Sequence, residues 1–167
     1  EEPIALAGIS GSLDHSVSSK TKNFLIESAY FNPSVIKGRA RRYGFQTDAS
    51  QRFERGVDFS IQKEALEDAI NIIQDIYQAD ISEIETVKNK YFPINKKIKL
   101  SLNDINKKLG TSLSASYIIS ILNRLEIKLI KKNKSNLTFE VPSHRFDLSI
   151  KEDLIEEVAR MVGYDNL

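Results

Sequence analysis

The periodic pattern of apolar residues is interrupted between residues 79 and 92. Before this stretch apolar residues recur every three or four positions, whereas within it acids, lysines and isolated apolar residues follow no period, and Pro93 comes next. A segment without a periodic apolar face is predicted to be a linker, here with at most one strand. A chain of 167 residues can form two small cores. We therefore expect one domain at residues 1–78, a linker at 79–92 and a second domain at 93–167.

The first domain is predicted to combine two strands with helices. The strand-like runs PIALAGI and TKNFLIESAYF are separated by a polar loop. Asn32 followed by Pro33 favours a helix start, so a short helix is expected from Pro33 to about Tyr43, ending at Gly44. The first strand has no earlier element to pair with, so we expect a partial, incomplete sheet. A longer helix from Asp58 should bury one face, formed by Ile61, Ala65, Ala69, Ile72 and Ile76 and widened by Leu66 and Ile73.

The second domain is predicted to be a small α+β unit. Ser101 and Ser114 are residue types preferred at helix N-caps, and each precedes a short helix. The runs IKLIKK and NLTFEV should pair as a hairpin, and a last helix should run from about Ile150 to Val162. Two helices followed by a hairpin are typical of winged-helix modules. The chain is thus assigned to the α+β class: a partial mixed sheet with helices, then a winged-helix-like domain.

Composition excludes several kinds of site. The chain has no cysteine and only two histidines, His15 and His144, so disulfides and thiolate or histidine-rich metal sites are not expected. Any metal should therefore be held by oxygen ligands. No apolar run approaches the ~18 residues of a membrane span, and no signal-peptide pattern opens the sequence. A cytoplasmic protein is the expectation.

Charge is segregated along the second half of the chain. Residues 93–134 hold ten Lys/Arg against Asp104 and Glu126, a balance of +8, whereas residues 147–157 hold five acids against Lys151. A basic stretch of this kind can bind a polyanion such as RNA, or it can be a solvated lysine-rich surface. The sequence leaves both possibilities open.

A second basic cluster lies in the segment GRARRYGFQTDASQRFERGVD, residues 38–58, where arginines alternate with aromatic residues. Guanidinium groups bind phosphates through two hydrogen bonds and aromatic rings stack on bases, so this segment is suited to contact RNA. The alternative is that the arginines pair with Asp48, Glu54 and Asp58 and brace an irregular loop.

An acidic cluster surrounds the start of the last helix. Asp153, Glu156 and Glu157 occupy positions 0, +3 and +4 of a helix and share one arc, and Asp147 lies shortly before it. Several oxygen ligands on one arc suit a hard cation such as Mg²⁺. Helix-surface ion pairs with Arg160 are the competing explanation.

The order and spacing of several motifs resemble one known family. AGISG, LIESAYFNP, GRARRYG, TDAS and RFERGVD follow one another, and VPSHRFDLSIKEDLIEEVARMVGYDN comes at the end. Together they resemble the β subunit of bacterial phenylalanyl-tRNA synthetases. The resemblance implies that residues 1–78 are the C-terminal half of a B3/B4 editing domain and that residues 93–167 are a B5 domain.

The same resemblance implies a function and site residues. The family forms an α2β2 tRNA ligase whose α subunit joins phenylalanine to tRNA(Phe) with ATP, and whose β subunit hydrolyses mischarged Tyr-tRNA(Phe). The family's editing-pocket positions correspond to Gly11, Glu27, Thr47 and Ala49, and its Mg²⁺ positions, at the contact with the α subunit, to Asp147, Asp153, Glu156 and Glu157.

Glu27 has a physical rationale in such a pocket. A carboxylate that accepts a hydrogen bond from the tyrosine hydroxyl strongly favours tyrosine over phenylalanine. The family's pocket also uses a histidine from the half of the domain that precedes this segment, so the segment alone is expected to be inactive. Two other readings stay open: a freestanding nucleic-acid-binding module, and an independent deacylase of mischarged tRNA.

Overall fold

The computed structural model describes residues 2–167 and divides into two compact units, with the boundary after Asn89. No helix or strand forms at residues 78–96, a range that includes the predicted linker. The predicted domain limits themselves stay a prediction. Within the described residues, no helix combines the length and the apolar composition needed to cross a membrane.

The strands of the first unit are much shorter than predicted. β1 (Ala5–Leu6) and β2 (Ser10–Gly11) form an antiparallel pair of two residues each. The turn between them needs Gly8, whose φ is +69° and whose added Cβ would lie 2.8 Å from Ile36 Cδ1. The strand predicted in TKNFLIESAYF is wrong, because residues 21–32 form no regular element. A strand needs a neighbour for its backbone hydrogen bonds, and the described chain supplies none there.

Four helices follow in the first unit. They are α1 (Pro33–Ile36), α2 (Arg39–Arg42), α3 (Asp48–Arg55) and α4 (Gln62–Tyr77). The single helix predicted from Pro33 to about Tyr43 is interrupted, because Gly38 adopts φ +75° and begins α2. Helix α3 lies in the arginine-rich segment that was expected to be a loop.

The predicted buried face of α4 is only partly covered. Ile72 and Ile76 are 60% and 64% exposed, and Ile61 is 45% exposed. Amphipathic spacing shows which side chains share a face but not whether another element covers that face. The half-buried side chains of α4 are the predicted Leu66, Ala69 and Ile73, together with Gln62 and Ile70.

The second unit confirms the predicted helix, helix, hairpin and helix order. Its elements are β3 (Lys97–Ser101), α5 (Leu102–Leu109), α6 (Ala115–Arg124), β4 (Lys128–Lys132), β5 (Asn136–Glu140) and α7 (Lys151–Val162). Strand β3, which was not predicted, joins the hairpin in an antiparallel sheet of order β3-β5-β4. This is the winged-helix arrangement, and the α+β class is confirmed.

The core of the second unit lies between the inner face of this sheet and helices α5, α6 and α7. Ser101 and Ser114 cap α5 and α6 as predicted, accepting from the backbone N–H of Asp104 and Tyr117. Phe139 is fully buried on the middle strand. The buried cluster consists of Ile98, Leu100, Ile105, Ile118, Ile121, Leu122, Ile127, Leu137, Phe139, Val141, Leu148, Leu154, Ile155 and Val158.

Replacing Phe139 by alanine should destabilise the second unit by about 3–5 kcal/mol, because the truncation leaves a cavity in the sheet-facing core. The neighbouring Thr138→Ala is the matched control, since Thr138 points to the opposite, outer face of the same strand. It should cost no more than about 1 kcal/mol. Denaturant unfolding followed by circular dichroism measures both, and equal losses would contradict the packing described here.

Candidate functional site

Thr47 joins two distant segments of the first unit. Its side-chain Oγ1 donates to the carbonyl oxygen of Ile9 at 2.5 Å and accepts from the backbone N–H of Ser50 at 3.1 Å. In return, the Thr47 N–H donates to Ser50 Oγ at 2.9 Å, which completes a capping box at the start of α3. Because Ile9 precedes β2, this one hydroxyl brings the first hairpin to the N-terminus of α3.

An open cleft of about 370 Å³ lies beside α3. Ala49 and Phe53 of α3 form one part of its wall, and Ser28 and Ala29 form another. Phe53 is held in place by an edge-to-face contact with Phe31, with ring centroids 4.9 Å apart. The remaining lining residues are Arg52, Val57, Asp58, Ile61 and Gln62.

The four predicted editing residues are placed differently relative to this cleft. Ala49 lines it, and Thr47, two residues earlier, is engaged in the cap of α3. Glu27 is exposed next to Ser28, and no ion pair of the described residues includes it. Gly11 ends β2, with no atom within 4 Å of its Cβ position. Of the four predicted residues, the cleft lining thus includes Ala49 but not Gly11, Glu27 or Thr47.

The arginine-rich segment is open to solvent. Arg41, Arg42, Arg52 and Arg55 are exposed, and among the residues described none of them forms an ion pair. The expected alternative of arginines braced by acids is therefore not what forms. Nearby, two aromatic side chains expose about half of their surface: Tyr43 at 53% and Phe45 at 43%.

In the second unit, Arg145 lies between two of the predicted metal ligands. Its Nε donates to Asp147 Oδ1 at 3.0 Å and its Nη2 donates to Asp147 Oδ2 at 2.7 Å. The same Nη2 donates to Glu157 Oε1 at 2.8 Å, and Arg160 donates to Glu157 Oε2. Glu157 is only 8% exposed, and the two arginines compensate its charge. Sequence reasoning missed Arg145, whose partner on α7 is twelve residues away.

The other two predicted metal ligands, Asp153 and Glu156, do not point to a common site. Asp153 Oδ2 accepts from the backbone N–H groups of Ser149 and Ile150 at 2.6 and 2.9 Å, so it caps the start of α7. Glu156 points to solvent. Across residues 2–167, no three acidic or histidine side chains are grouped so that they could hold a metal ion. As arranged, the four carboxylates do not fit a Mg²⁺ site.

The contacts of this cluster shift its pKa values. The hydrogen bond from Arg145 lowers the pKa of Asp147. Burial alone raises the pKa of Glu157, but the hydrogen bonds from Arg145 and Arg160 outweigh it and leave that pKa lowered. The backbone N–H groups of Ile150 and Ser149 lower the pKa of Asp153. All three carboxylates are therefore stabilised in their charged form.

The outer face of the sheet was also missed by sequence reasoning. On it, Lys99 and Lys131 flank Thr138, and Lys97 and Lys128 flank Glu140. All four lysines are exposed, in two rows across the three strands. Separately, an open groove of about 850 Å³ lies beside α6, and the exposed side chains of that helix include the polar set Tyr117, Ser120, Asn123 and Arg124.

Thr47→Val keeps the shape of the side chain but removes both hydrogen bonds of the hydroxyl. We expect the start of α3 to lose about 1–2 kcal/mol of local stability. Amide hydrogen exchange at Ser50, followed by NMR, measures this directly, and Thr47→Ser should retain the protection. Equal Ser50 protection in the valine variant and the parent would show that the hydroxyl does not stabilise the start of α3.

The acidic cluster predicts a pH dependence of stability. A carboxylate whose folded pKa is lowered contributes stability above its unfolded pKa, and this contribution is lost as the pH falls through the folded value. The free energy of unfolding should thus decline as the pH falls below about 4. In a pH series of denaturant unfolding, Asp147→Asn should flatten this decline, whereas the exposed control Glu156→Gln should not. A decline of the same size in Asp147→Asn would contradict the assignment.

Comparison with known proteins supports the assignment of the two units. The pattern of the B3/4 domain family matches residues 1–78, and that of the tRNA synthetase B5 domain matches residues 98–164. A phenylalanine–tRNA ligase beta subunit from Psychrobacter arcticus is 42% identical over 98% of this chain and 20% of its own length. Those of Acinetobacter baylyi and Hahella chejuensis are 41% and 40% identical over 98% and 100% of this chain, and 21% of their own lengths.

The chain spans about one fifth of the length of these relatives. Both domain patterns occur in the order expected from the motifs, and the identity extends over nearly all of the chain. The chain belongs to the family of phenylalanine–tRNA ligase beta subunits and corresponds to their B3/4 and B5 segment.

Proposed function

We propose that this chain acts as part of a phenylalanine–tRNA ligase. The complete α2β2 enzyme charges tRNA(Phe) with phenylalanine using ATP, in the cytoplasm, and removes tyrosine that has been attached in error. In this proposal the first unit supplies part of the editing pocket, and the second unit is a scaffold that contacts the α subunit. The names and the identity of the relatives support this assignment.

The observation that carries the editing proposal is the link between Thr47 and Ile9. It holds the loop around Gly11 next to the first turn of α3, where Ala49 opens onto the cleft. Ala49 is small, so it leaves room in the cleft for an aminoacyl group. The position of the link thus agrees with the family's pocket positions.

Glu27 is suited to recognise the hydroxyl that distinguishes tyrosine from phenylalanine. Its carboxylate is exposed and forms no ion pair among the residues described, and the two residues after it line the cleft. A phenol hydroxyl that donates to this carboxylate gains a charge-assisted hydrogen bond. Phenylalanine leaves the same acceptor without that bond, so correctly charged tRNA is spared.

The exposed arginines support tRNA as the partner of the first unit. Arg52 lines the cleft, and Arg41, Arg42 and Arg55 lie on the same short helices, α2 and α3. Guanidinium groups that are not already paired can bind phosphate through two hydrogen bonds. The exposed rings of Tyr43 and Phe45 offer stacking surfaces for unpaired bases.

The second unit supports a docking role because its core is complete and its acidic helix start is rigid. Asp153 caps α7, and the arginines fix Glu157, so Glu156 is the member of the cluster that remains available to a partner. We place the α subunit at this end of α7. No step of the proposal depends on a metal ion.

The lysines of the outer sheet face favour one other function, a nucleic-acid-binding module. Lys108 and Lys151 pair with Glu152 and Asp104, whereas the four lysines of the sheet face form no ion pair among the residues described. Such a surface binds phosphates without regard to sequence. Binding that ignores tRNA identity and weakens with salt would favour this second function.

The editing proposal is tested by Glu27→Ala in a complete ligase that carries this segment. Loss of one hydrogen bond to a charged group costs about 1.5–3 kcal/mol, so hydrolysis of Tyr-tRNA(Phe) should slow roughly 10- to 150-fold. Phenylalanine attachment should be unchanged. The control is Asp75→Ala, an exposed acid near the far end of α4. Wild-type hydrolysis by the Glu27 variant would refute the role given to this carboxylate.

A further inference from the structure

We propose that the Arg145 guanidinium takes the place of a divalent cation in the acidic cluster of the second unit. The cation that neutralises Asp147 and Glu157 is then a side chain of the same polypeptide. It follows that folding of residues 90–167 does not require Mg²⁺. This inference does not depend on the editing proposal.

All four oxygens of these two carboxylates accept hydrogen bonds from guanidinium groups. Both oxygens of Asp147 accept from Arg145. One oxygen of Glu157 accepts from Arg145 and the other from Arg160. Mg²⁺ requires near-octahedral oxygen ligands at about 2.0–2.1 Å, so an ion bound here would compete with the guanidinium groups for these four oxygens.

The charges within the cluster are balanced by arginines. Asp147 and Glu157 carry two negative charges, and Arg145 and Arg160 carry two positive charges within hydrogen-bond distance of them. Asp153 is stabilised separately by two backbone N–H groups at the start of α7. The charges of Asp147 and Glu157 are therefore balanced before any dication binds, and Glu156 is the acid of the cluster that stays exposed without an ion pair among the described residues.

The backbone holds Arg145 in position. Its N–H donates to the carbonyl of Pro142 at 3.0 Å, and its carbonyl accepts from the N–H of Leu148 at 3.2 Å. The Arg145 side chain is only 22% exposed. The guanidinium is therefore presented to α7 by a fixed turn and is not a mobile surface group.

A second positively charged side chain, Lys96, donates hydrogen bonds to backbone oxygens of the same turn. The ammonium group of Lys96 donates to the backbone carbonyls of Phe146 and Leu148 at 3.3 and 3.2 Å. Backbone carbonyls and carboxylates are the groups that hard cations collect in proteins. Here an ammonium and a guanidinium perform this task, and together they link the turn at residues 142–149 to Lys96, just before β3, and to α7.

The test measures cation binding to the 167-residue chain and to Arg145→Met. For the parent chain, electron paramagnetic resonance with Mn²⁺ alone should detect no bound ion that Asp147→Asn removes. Its melting temperature should be the same in EDTA and in millimolar Mg²⁺ at matched ionic strength. One Mn²⁺ bound to the parent chain and lost in Asp147→Asn would overturn the proposal, even if Arg145→Met fails to fold.

Arg145→Met gives the complementary result. Asp147 and Glu157 then lose a shared positive charge, so the melting temperature should fall by several degrees and should rise again when Mg²⁺ is added. The double variant Arg145→Met/Asp147→Asn should lose this response to Mg²⁺. If the methionine variant melts at the parent temperature and ignores Mg²⁺, the guanidinium does not act as the cation of the cluster.

Discussion

Hydrophobic burial is concentrated in residues 90–167. There, the inner face of one sheet and three helices enclose a continuous core around Phe139, Leu122 and Leu154. In residues 2–89 the buried side chains are Ile9, Ile36, Ala40 and Ser50. Since burial of apolar area is the main source of folding free energy, the two units are stabilised by different means.

In the first unit, a few specific contacts replace a large core. The hydroxyl of Thr47 links the hairpin to α3, Phe31 packs against Phe53, and Gly8 lets the first turn approach Ile36. Contacts of this kind leave the neighbouring surface open, so the arginines and the cleft remain available to a large ligand. The same open construction limits the stability of the unit.

In the second unit, carboxylates form ion pairs with arginines of the same unit. The acidic start of α7 is compensated by arginines and by backbone N–H groups, while the lysines of the sheet lie on the opposite, outer face of the strands. Glu157 shows the consequence: it is buried beside the core, and it is tolerated there because Arg145 and Arg160 pair with it. The unit can therefore present a rigid acidic helix end to a protein partner.

Much of the second unit could be predicted from the sequence, because its signals are local. Ser101 and Ser114 mark helix starts, and the apolar spacing of α6 and α7 predicts faces that are covered within the unit. Strand β3 was missed although its lysines and apolar residues alternate. Arg145 was missed because its contact with Glu157 joins a turn to a helix, which no helical spacing predicts.

The first unit was predicted less well because the burial and position of its residues depend on contacts between segments distant in sequence. The spacing of α4 suggested a buried face, yet Ile72 and Ile76 are exposed, since nothing in the described chain covers them. The start of helix α3 was indicated by a capping-box pair, Thr47 with Ser50 three residues later. The arginines of the segment nevertheless suggested a loop. The motifs identified the family, whereas the positions of Gly11 and Glu27 relative to the cleft depend on the backbone path.

The most direct measurement is a structure of the complete ligase bound to a non-hydrolysable analogue of tyrosine joined to the terminal adenosine of tRNA. If this segment forms part of the editing pocket, the tyrosine should lie in the cleft beside Ala49, with its hydroxyl within hydrogen-bond distance of Glu27. An analogue bound elsewhere, with Glu27 still facing solvent, would contradict the assignment of this segment to the editing pocket.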